Sequence, residues 1–458
     1  MERNVATSGG NLPSEPSAAW RWICPTAIFA YATLETMLVP ALPQIRAHLD
    51  IDLASSGWFF SALALSGAVA TPLIGRMADL YGAQRVFAAV LAALLGGILL
   101  SATAASFWPL IVGQALQGLA LSLIPLSVAI GQQLGDEGAS RRIVIAATSS
   151  TIAGFALAGL LLRLGDYKIL YWISFVPIAC CLVAVLVSGA LRSDGKARSR
   201  GSLDFVGATL LGTSIVLILT GIGRGPYASL VHLALAAALL ALWWRQSGTA
   251  DDPLIDRRLL RDPLVARVAI ITAMLGMGAF GSFVLIPVVV EAPLARGGLG
   301  GDASLSGFCL AGFGVAGALS PLFAASLRRR FGVRVPMLFA ILLILAGLAS
   351  LALPSSASGF IWVSAAVGAG IGLSLTHGID LLIMRIPPER LASASALIFV
   401  AKSIGHASGA QAVTVLIGDP VFPAAAFGPV ALACGFCLVA LAAALRLPAL
   451  DHERPYAG

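Results

Sequence analysis

Long apolar runs, broken by short polar knots, extend through most of the chain, and their lengths set the first expectation. A helix crossing hydrocarbon needs about 20 predominantly apolar residues. Windows of that size fall near 20–41, 55–74, 86–104, 107–131, 142–163 and 169–190, then 205–223 and 228–245. A last set falls near 264–290, 303–327, 335–353, 359–384, 390–418 and 425–446. The grouping is six, two and six, or fourteen spanners in an all-α membrane protein. It predicts a tail at 1–19, a six-helix bundle at 20–190, a linker at 191–204 and an added helix pair at 205–245. A connection at 246–263, a second six-helix bundle at 264–446 and a tail at 447–458 complete the division.

One knot stands out. The stretch from Gly75 to Val86, GRMADLYGAQRV, places Arg76, Asp79 and Arg85 between two long apolar runs and brackets them with Gly75 and Gly82. The pattern predicts a turn at a membrane surface, with Asp79 near the positive N-terminus of the helix that follows. A fainter copy occurs in the second set: LRRRFGVRVPMLF, from Leu327, echoes MADLYGAQRVF, from Met77, with Gly332 for Gly82 and Phe331 for Tyr81. Each lies after the second helix of its set of six.

Composition agrees with this picture. Hydrophobic residues make up 58% of 458 and charged residues only 11%, against about 45–50% and about 25% in soluble domains. The opening residues, polar and containing Pro13 and Pro16, do not read as a signal peptide. The net charge of +7 would point to nucleic acid in a soluble protein. Here the basic residues sit in the connections, so membrane orientation accounts for them and no nucleic-acid partner is expected. With the N-terminus inside, the inner side receives most of the arginines, including Arg141, Arg142, Arg328, Arg329, Arg330 and Arg334. It also receives the linker residues Arg192, Lys196, Arg198 and Arg200. The outside receives only Arg46, Arg163, Lys168, Arg224 and Arg296. Both termini are expected in the cytoplasm of a bacterial-type inner membrane. Cys434 and Cys437 form a CxxC inside an apolar run with no His nearby, so packing is expected of them rather than metal or redox chemistry. No Walker loop, metal-ligand spacing or nucleophile–base set is present, so no cofactor and no enzymatic activity are expected.

Several phrases together give a resemblance. ALPQI from Ala41, TPLIGRMADLYGAQRVF from Thr71, LIVGQALQGLALSLIP from Leu110, SLDFVGA from Ser202, DPLIDRRLLRDP from Asp252 and KSIGHASGAQA from Lys402 are similar to the fourteen-spanner drug/proton antiporter branch of the major facilitator superfamily. The resemblance implies two six-helix bundles related by an axis along the membrane normal, with the substrate site between them. It implies a monomer that exports amphipathic small molecules or drugs in exchange for protons. Gly75, Asp79, Gly82 and Arg85 would form a cytoplasmic gate. The departures are specific. Gln114 stands where the resemblance implies an Arg, Phe155 takes a proline place in spanner 5, and Glu35 lies one place after the expected acid.

Ionisable groups in hydrocarbon cost several kcal/mol unless paired or hydrated, which selects the candidates. Glu35 shares a helix face with Tyr31, four residues back, and can exchange a proton or hold a cation; the alternative is a hydrated carboxylate near the outer mouth. His377 and Asp380, three apart, are a candidate proton-handling pair, the alternative being an Asp380 that only neutralises Lys402 or Arg385. Lys402 and His406 lie four apart on spanner 13, with coupling or structural pairing as the two readings. Gln114 and Gln117 are expected to face substrate from spanner 4. Met274, Met277 and Phe280 form either an adaptable wall or ordinary packing. Two alternatives to proton-driven export remain, a uniporter or importer of a small organic solute and a non-transporting sensor or scaffold.

Overall fold

The computed structural model describes residues 16–136, 138–188, 203–221, 226–249, 253, 255, 257–351, 356–386, 388–417 and 424–447. The basic linker 191–202 and both tails, 1–15 and 448–458, lie outside the described residues. The described elements are helices, and hydrocarbon explains why. An apolar solvent offers no partner to a backbone N–H or C=O, so each segment must satisfy its own.

In chain order the helices are α1 (Pro16–Leu49), α2 (Leu53–Tyr81), α3 (Ala83–Ala102), α4 (Phe107–Gly118) and α5 (Leu123–Gln133). They continue with α6 (Ala139–Leu164), α7 (Lys168–Val187), α8 (Phe205–Gly221), α9 (Pro226–Gln246) and the short α10 (Arg257–Arg261). The last set is α11 (Pro263–Glu291), α12 (Ala303–Phe331), α13 (Arg334–Ser350), α14 (Ala357–Arg385), α15 (Pro388–Ile417) and α16 (Ala424–Leu445). A 3₁₀ turn at Leu119–Ser122 joins α4 to α5, and the two form one rod, Phe107–Gln133. Fourteen rods result, as the hydropathy pattern predicts. Eleven of them are long and apolar enough by themselves to cross a membrane. Of the others, α8 and α13 are shorter apolar helices, while α15 carries Lys402 and His406 and is packed between α2 and α11.

Acidic and hydroxyl caps set where several rods begin. Asp52 accepts from the Ser55 amide at 2.7 Å, Asp204 from Gly207 at 2.7 Å, Asp262 from Leu264 at 2.8 Å, and Asp302 from Leu305 at 2.9 Å. Each satisfies an amide that the first helical turn leaves without an internal partner. Pro263 at the start of α11 needs no such partner.

The two sets of six pack by the same scheme. In the first, α1 pairs with α6 and α7, α2 with α4, and α3 with α4 and α7. In the second, α11 pairs with α15 and α16, α12 with α14, and α13 with α14 and α16. The weak sequence echo between Met77 and Leu327 is therefore the trace of a repeated bundle. The geometry at the echo agrees: Gly82 at φ 93° and Gly332 at φ 69° each end the second helix, and each donates its amide to the carbonyl four residues back.

One expectation changes. The knot at Gly75–Val86 is not a loop, because α2 runs on through Gly75 to Tyr81 and only Gly82 interrupts the helix. Nothing lies within 4 Å of a Cβ built at either Gly75 or Gly82. Their difference is purely one of backbone conformation, since the φ of 93° and ψ of 132° at Gly82 suit glycine alone. Replacing Gly82 by Ala should therefore destabilise the fold by about 1–2 kcal/mol. Gly75→Ala, inside a helix, should be neutral or stabilise by up to about 1 kcal/mol. Thermal unfolding of the purified protein distinguishes the two; equal losses would contradict this assignment.

Candidate functional site

An even number of rods puts Pro16 and Leu447 on one face, the terminal side, and the loops at 50–52, 165–167 and 292–302 on the opposite, far side. The two bundles meet through α2 with α15 and α6 with α12. Among the described side chains, the contacts between them fall between mid-depth and the far side. Ser61 Oγ donates to the Ala407 carbonyl at 2.8 Å, and Ser304 Oγ donates to the Gly159 carbonyl at 2.6 Å. Arg163 Nη2 lies 3.4 Å from Asp302 Oδ2. A Cβ at Gly307 would meet the Phe155 carbonyl oxygen at 2.6 Å, and one at Gly314 the Ile152 amide at 3.3 Å.

Just inside these contacts lies a cluster of phenylalanines from four helices. Phe280 is edge-on to Phe60 (5.6 Å between centroids) and to Phe283 (5.4 Å), and Phe283 in turn is edge-on to Phe313 (4.3 Å) and tilted against Phe155 (6.0 Å). Rings in this arrangement bury large apolar area and attract edge to face. The cluster closes the bundle interface toward the far side.

Below the rings sit the charges. Glu35 on α1 is half-buried, as are Lys402 and His406 on α15, although all three are near mid-depth of their helices. Glu35 and Lys402, from opposite bundles, are near enough for their charges to influence each other, without a direct ion pair between them. The His406 ring stacks on Phe280 at 4.6 Å and 20°, joining the charged site to the ring cluster. Lys402 and His406 also line a small crevice, with room for about one water-sized sphere, with Thr272, Gly276, Ile371 and Ser374, between α11, α14 and α15. Tyr31 is buried one turn from Glu35, and its hydroxyl has no hydrogen-bond partner.

The other candidates lie elsewhere. His377 is fully buried, with Nδ1 3.7 Å from Asp380 Oδ2, and Asp380 is paired at 3.3 Å with Arg328 on α12. The sequence points Asp380 at Lys402 or Arg385; the structure pairs it with Arg328, and the Arg385 side chain lies outside the described residues. This pair sits toward the terminal-side ends of α12 and α14, away from Glu35.

Gln114 and Gln117, expected to face substrate, are turned away from the bundle interface. Gln114 Nε2 donates to Tyr171 Oη on α7 at 2.9 Å. Gln117 Nε2 donates to Ser101 Oγ at 2.9 Å, to the Gly113 carbonyl at 3.1 Å and to the Gly97 carbonyl at 3.3 Å, fastening α4 to α3. An amide facing lipid would lack such partners, so it turns into the bundle. Of the residues expected to form a gate, Asp79 and Arg85 are exposed on either side of the Gly82 break, and Gly75 lies within α2.

Sequence reasoning missed the ring cluster and the facing of Glu35 by Lys402. The rings carried a usable signal, because all five phenylalanines lie at similar depth in their spanners. The second needed the relative placement of the two bundles.

A sequence profile of the Major Facilitator Superfamily matches residues 26–410. The chain belongs to this superfamily. It is 25% identical over 425 residues to a multidrug resistance protein B homolog of Mycobacterium tuberculosis, covering 84% of this chain and 76% of that one. It is 27% identical over 369 residues to a uridine/deoxyuridine transporter of Lactococcus lactis, covering 76% and 75%. Among solved structures, the nucleoside transporter NupG superposes with a TM-score of 0.64 over 94% of this chain and 99% of that one, at 13% identity. The protein is thus a multi-pass member of the major facilitator superfamily with fourteen membrane helices. Membership of this superfamily implies a small-molecule substrate.

Removing the Gln117 amide tests its structural role. Gln117→Ala should cost about 1–3 kcal/mol, the usual penalty for deserting a buried partner, while leaving substrate affinity unchanged. Thermal unfolding and equilibrium binding measure the two effects; an affinity loss without a stability loss would return Gln117 to the substrate pathway.

Proposed function

We propose that this facilitator exports small amphipathic molecules across the bacterial inner membrane by alternating access, in exchange for protons. The observation that carries the reading is the half-buried Glu35 of one bundle interacting electrostatically with Lys402 of the other, under a ring cluster and contacts that close the far side. Solvent reaching Glu35 past this closure comes from the terminal side, which the arginine distribution assigns to the cytoplasm. A carboxylate and an ammonium on opposite sides of a moving interface attract while both are charged and lose that attraction when the carboxylate is protonated, so proton binding and bundle separation are linked. Tyr31, one turn away, and His406, stacked between the charge and the rings, belong to the same pathway. The His377–Asp380–Arg328 group, near the terminal side, is a second place where a proton can be exchanged. Asp79, Gly82 and Arg85 at the α2–α3 break serve as the cytoplasmic gate, with Gly75 in the helix leading to it. The resemblance to a multidrug resistance protein B homolog supports efflux and a broad substrate class.

A second reading is import or uniport of a small organic solute. It is favoured by Gln114, whose amide is occupied by Tyr171 and which carries no charge to couple to protons, and by the similarity to a uridine/deoxyuridine transporter.

Flux into proteoliposomes with and without an imposed pH gradient separates the two readings. Export coupled to protons predicts flux that rises with the gradient, falls about tenfold or more in Glu35→Gln and loses its gradient dependence there. Flux that ignores both gradient and substitution supports uniport and removes Glu35 from the mechanism.

The far-side closure gives an independent test of alternating access. A side chain at Gly57 would run into Thr414 and Gln411 of α15, so Gly57→Cys with Thr414→Cys should cross-link under oxidation. Cross-linked protein should lose transport while still binding substrate from the terminal side, and reduction should restore turnover. Transport that survives complete cross-linking would exclude opening at this interface.

A further inference from the structure

A second cavity, separate from the bundle interface, lies at the terminal-side end of the first bundle between α1, α5 and α6. It is bounded by Trp20, Arg21, Cys24, Ser127, Asp136 and Arg142 among others, and leaves room for about one water-sized sphere. Its polar chemistry is lopsided. Trp20 is 2% exposed, and its Nε1 has no hydrogen-bond partner in the protein; the buried Nε of Arg142 has none either. Both atoms can only donate. Ser127, 1% exposed, has the Cys24 thiol beside its hydroxyl.

The one carboxylate among the described lining residues is already committed. Asp136 takes Arg142 Nη2 as an ion-pair partner, has Arg21 Nε at 3.8 Å and accepts the Gly138 amide at 3.2 Å. Among the described residues that line it, two guanidinium groups stand against one carboxylate. Buried donors without acceptors cost more than they would in water, and a surplus cation beside them raises the demand for negative charge rather than for another dipole.

We propose that this cavity is a monovalent-anion site that takes a halide ion, held by Trp20 Nε1–H, Arg142 Nε–H and the Arg21 guanidinium, with Ser127 Oγ–H as a fourth donor. The size selects a single-atom ion, since an oxyanion such as phosphate exceeds the space. The ion ties the start of α1 to the α5–α6 turn, three segments that otherwise meet at this end through Asp136 and its two arginines. It acts on the rigidity of the first bundle and takes no part in the Glu35–Lys402 site, so its test is independent of the transport reading.

The test is thermal unfolding of the full-length protein in detergent, titrated with sodium bromide against sodium gluconate at constant ionic strength, with anomalous scattering from bromide-grown crystals to place the ion. The wild type should gain stability saturably with bromide alone, and an anomalous peak should fall between Trp20 and Arg142. Trp20→Phe keeps the ring and removes the donor, so the half-saturating bromide concentration should rise about tenfold or more. Trp22→Phe, at a position 71% exposed, should leave it unchanged. Arg142→Lys keeps the charge and the partner for Asp136 but removes Nε–H; it should weaken bromide similarly, and it serves if Trp20→Phe fails to fold. Equal stabilisation by bromide and gluconate, or a bromide response that survives both substitutions, would assign the space to a water molecule and overturn the proposal.

Discussion

Hydrocarbon gives a polar group nothing to bond with, and the arrangement of this protein follows from where each polar group finds its partner. Backbone groups find theirs within helices, which fixes the secondary structure. Side chains have two routes. Some turn inward and fasten one helix to another, as Gln117 does with Ser101 and two carbonyls, or Asp380 with Arg328. The others, Glu35, Lys402 and His406, stay half-buried near mid-depth, and under the proposed function they lie on the surface along which the two bundles part. Depth alone does not distinguish a fastening residue from a working one; access does.

The fastened residues and the working ones depend on each other. A charged pair across the bundle interface is useful only if water reaches it from one side at a time. Under the proposed function the ring cluster of Phe60, Phe155, Phe280, Phe283 and Phe313 provides that exclusion, and the stacking of His406 on Phe280 sets an ionisable ring directly against it. Movement in the seal and a change of charge in the site therefore share a contact.

Much of the fold was legible because hydropathy has one dominant cause in a bilayer. The fourteen rods, their approximate limits and the repeat after the second helix of each set could all be read from local sequence. Gly82 and Gly332 were recognisable since a break there demands glycine, although the helical course of Gly75–Tyr81 was not, because a polar run is compatible with either a turn or a helix end that reaches water. The same segments hold a further match that local reading passed over, Pro72-Leu73 in α2 and Pro321-Leu322 in α12, each preceded by a hydroxyl residue. The candidate site was legible only residue by residue. Helical spacing put Tyr31 beside Glu35 and His406 beside Lys402, yet which way a helix is rotated depends on its neighbours. That is why Gln114 and Gln117 ended against α7 and α3, and why Asp380 took Arg328.

The added pair α8–α9 introduces an asymmetry that the repeat itself lacks. By the repeat, the α2–α15 and α6–α12 contacts are one joint built twice, on opposite flanks of the molecule. Among the described residues α8 packs against α2 and reaches α15, with Val69 next to Gly212 at 3.3 Å from a Cβ there, while no corresponding helix covers the other flank. One joint thus carries a protein screen that the other lacks among the described residues. Under the proposed function, an oily molecule travelling within the leaflet meets two unequal flanks, and lateral approach becomes a directional property of the chain.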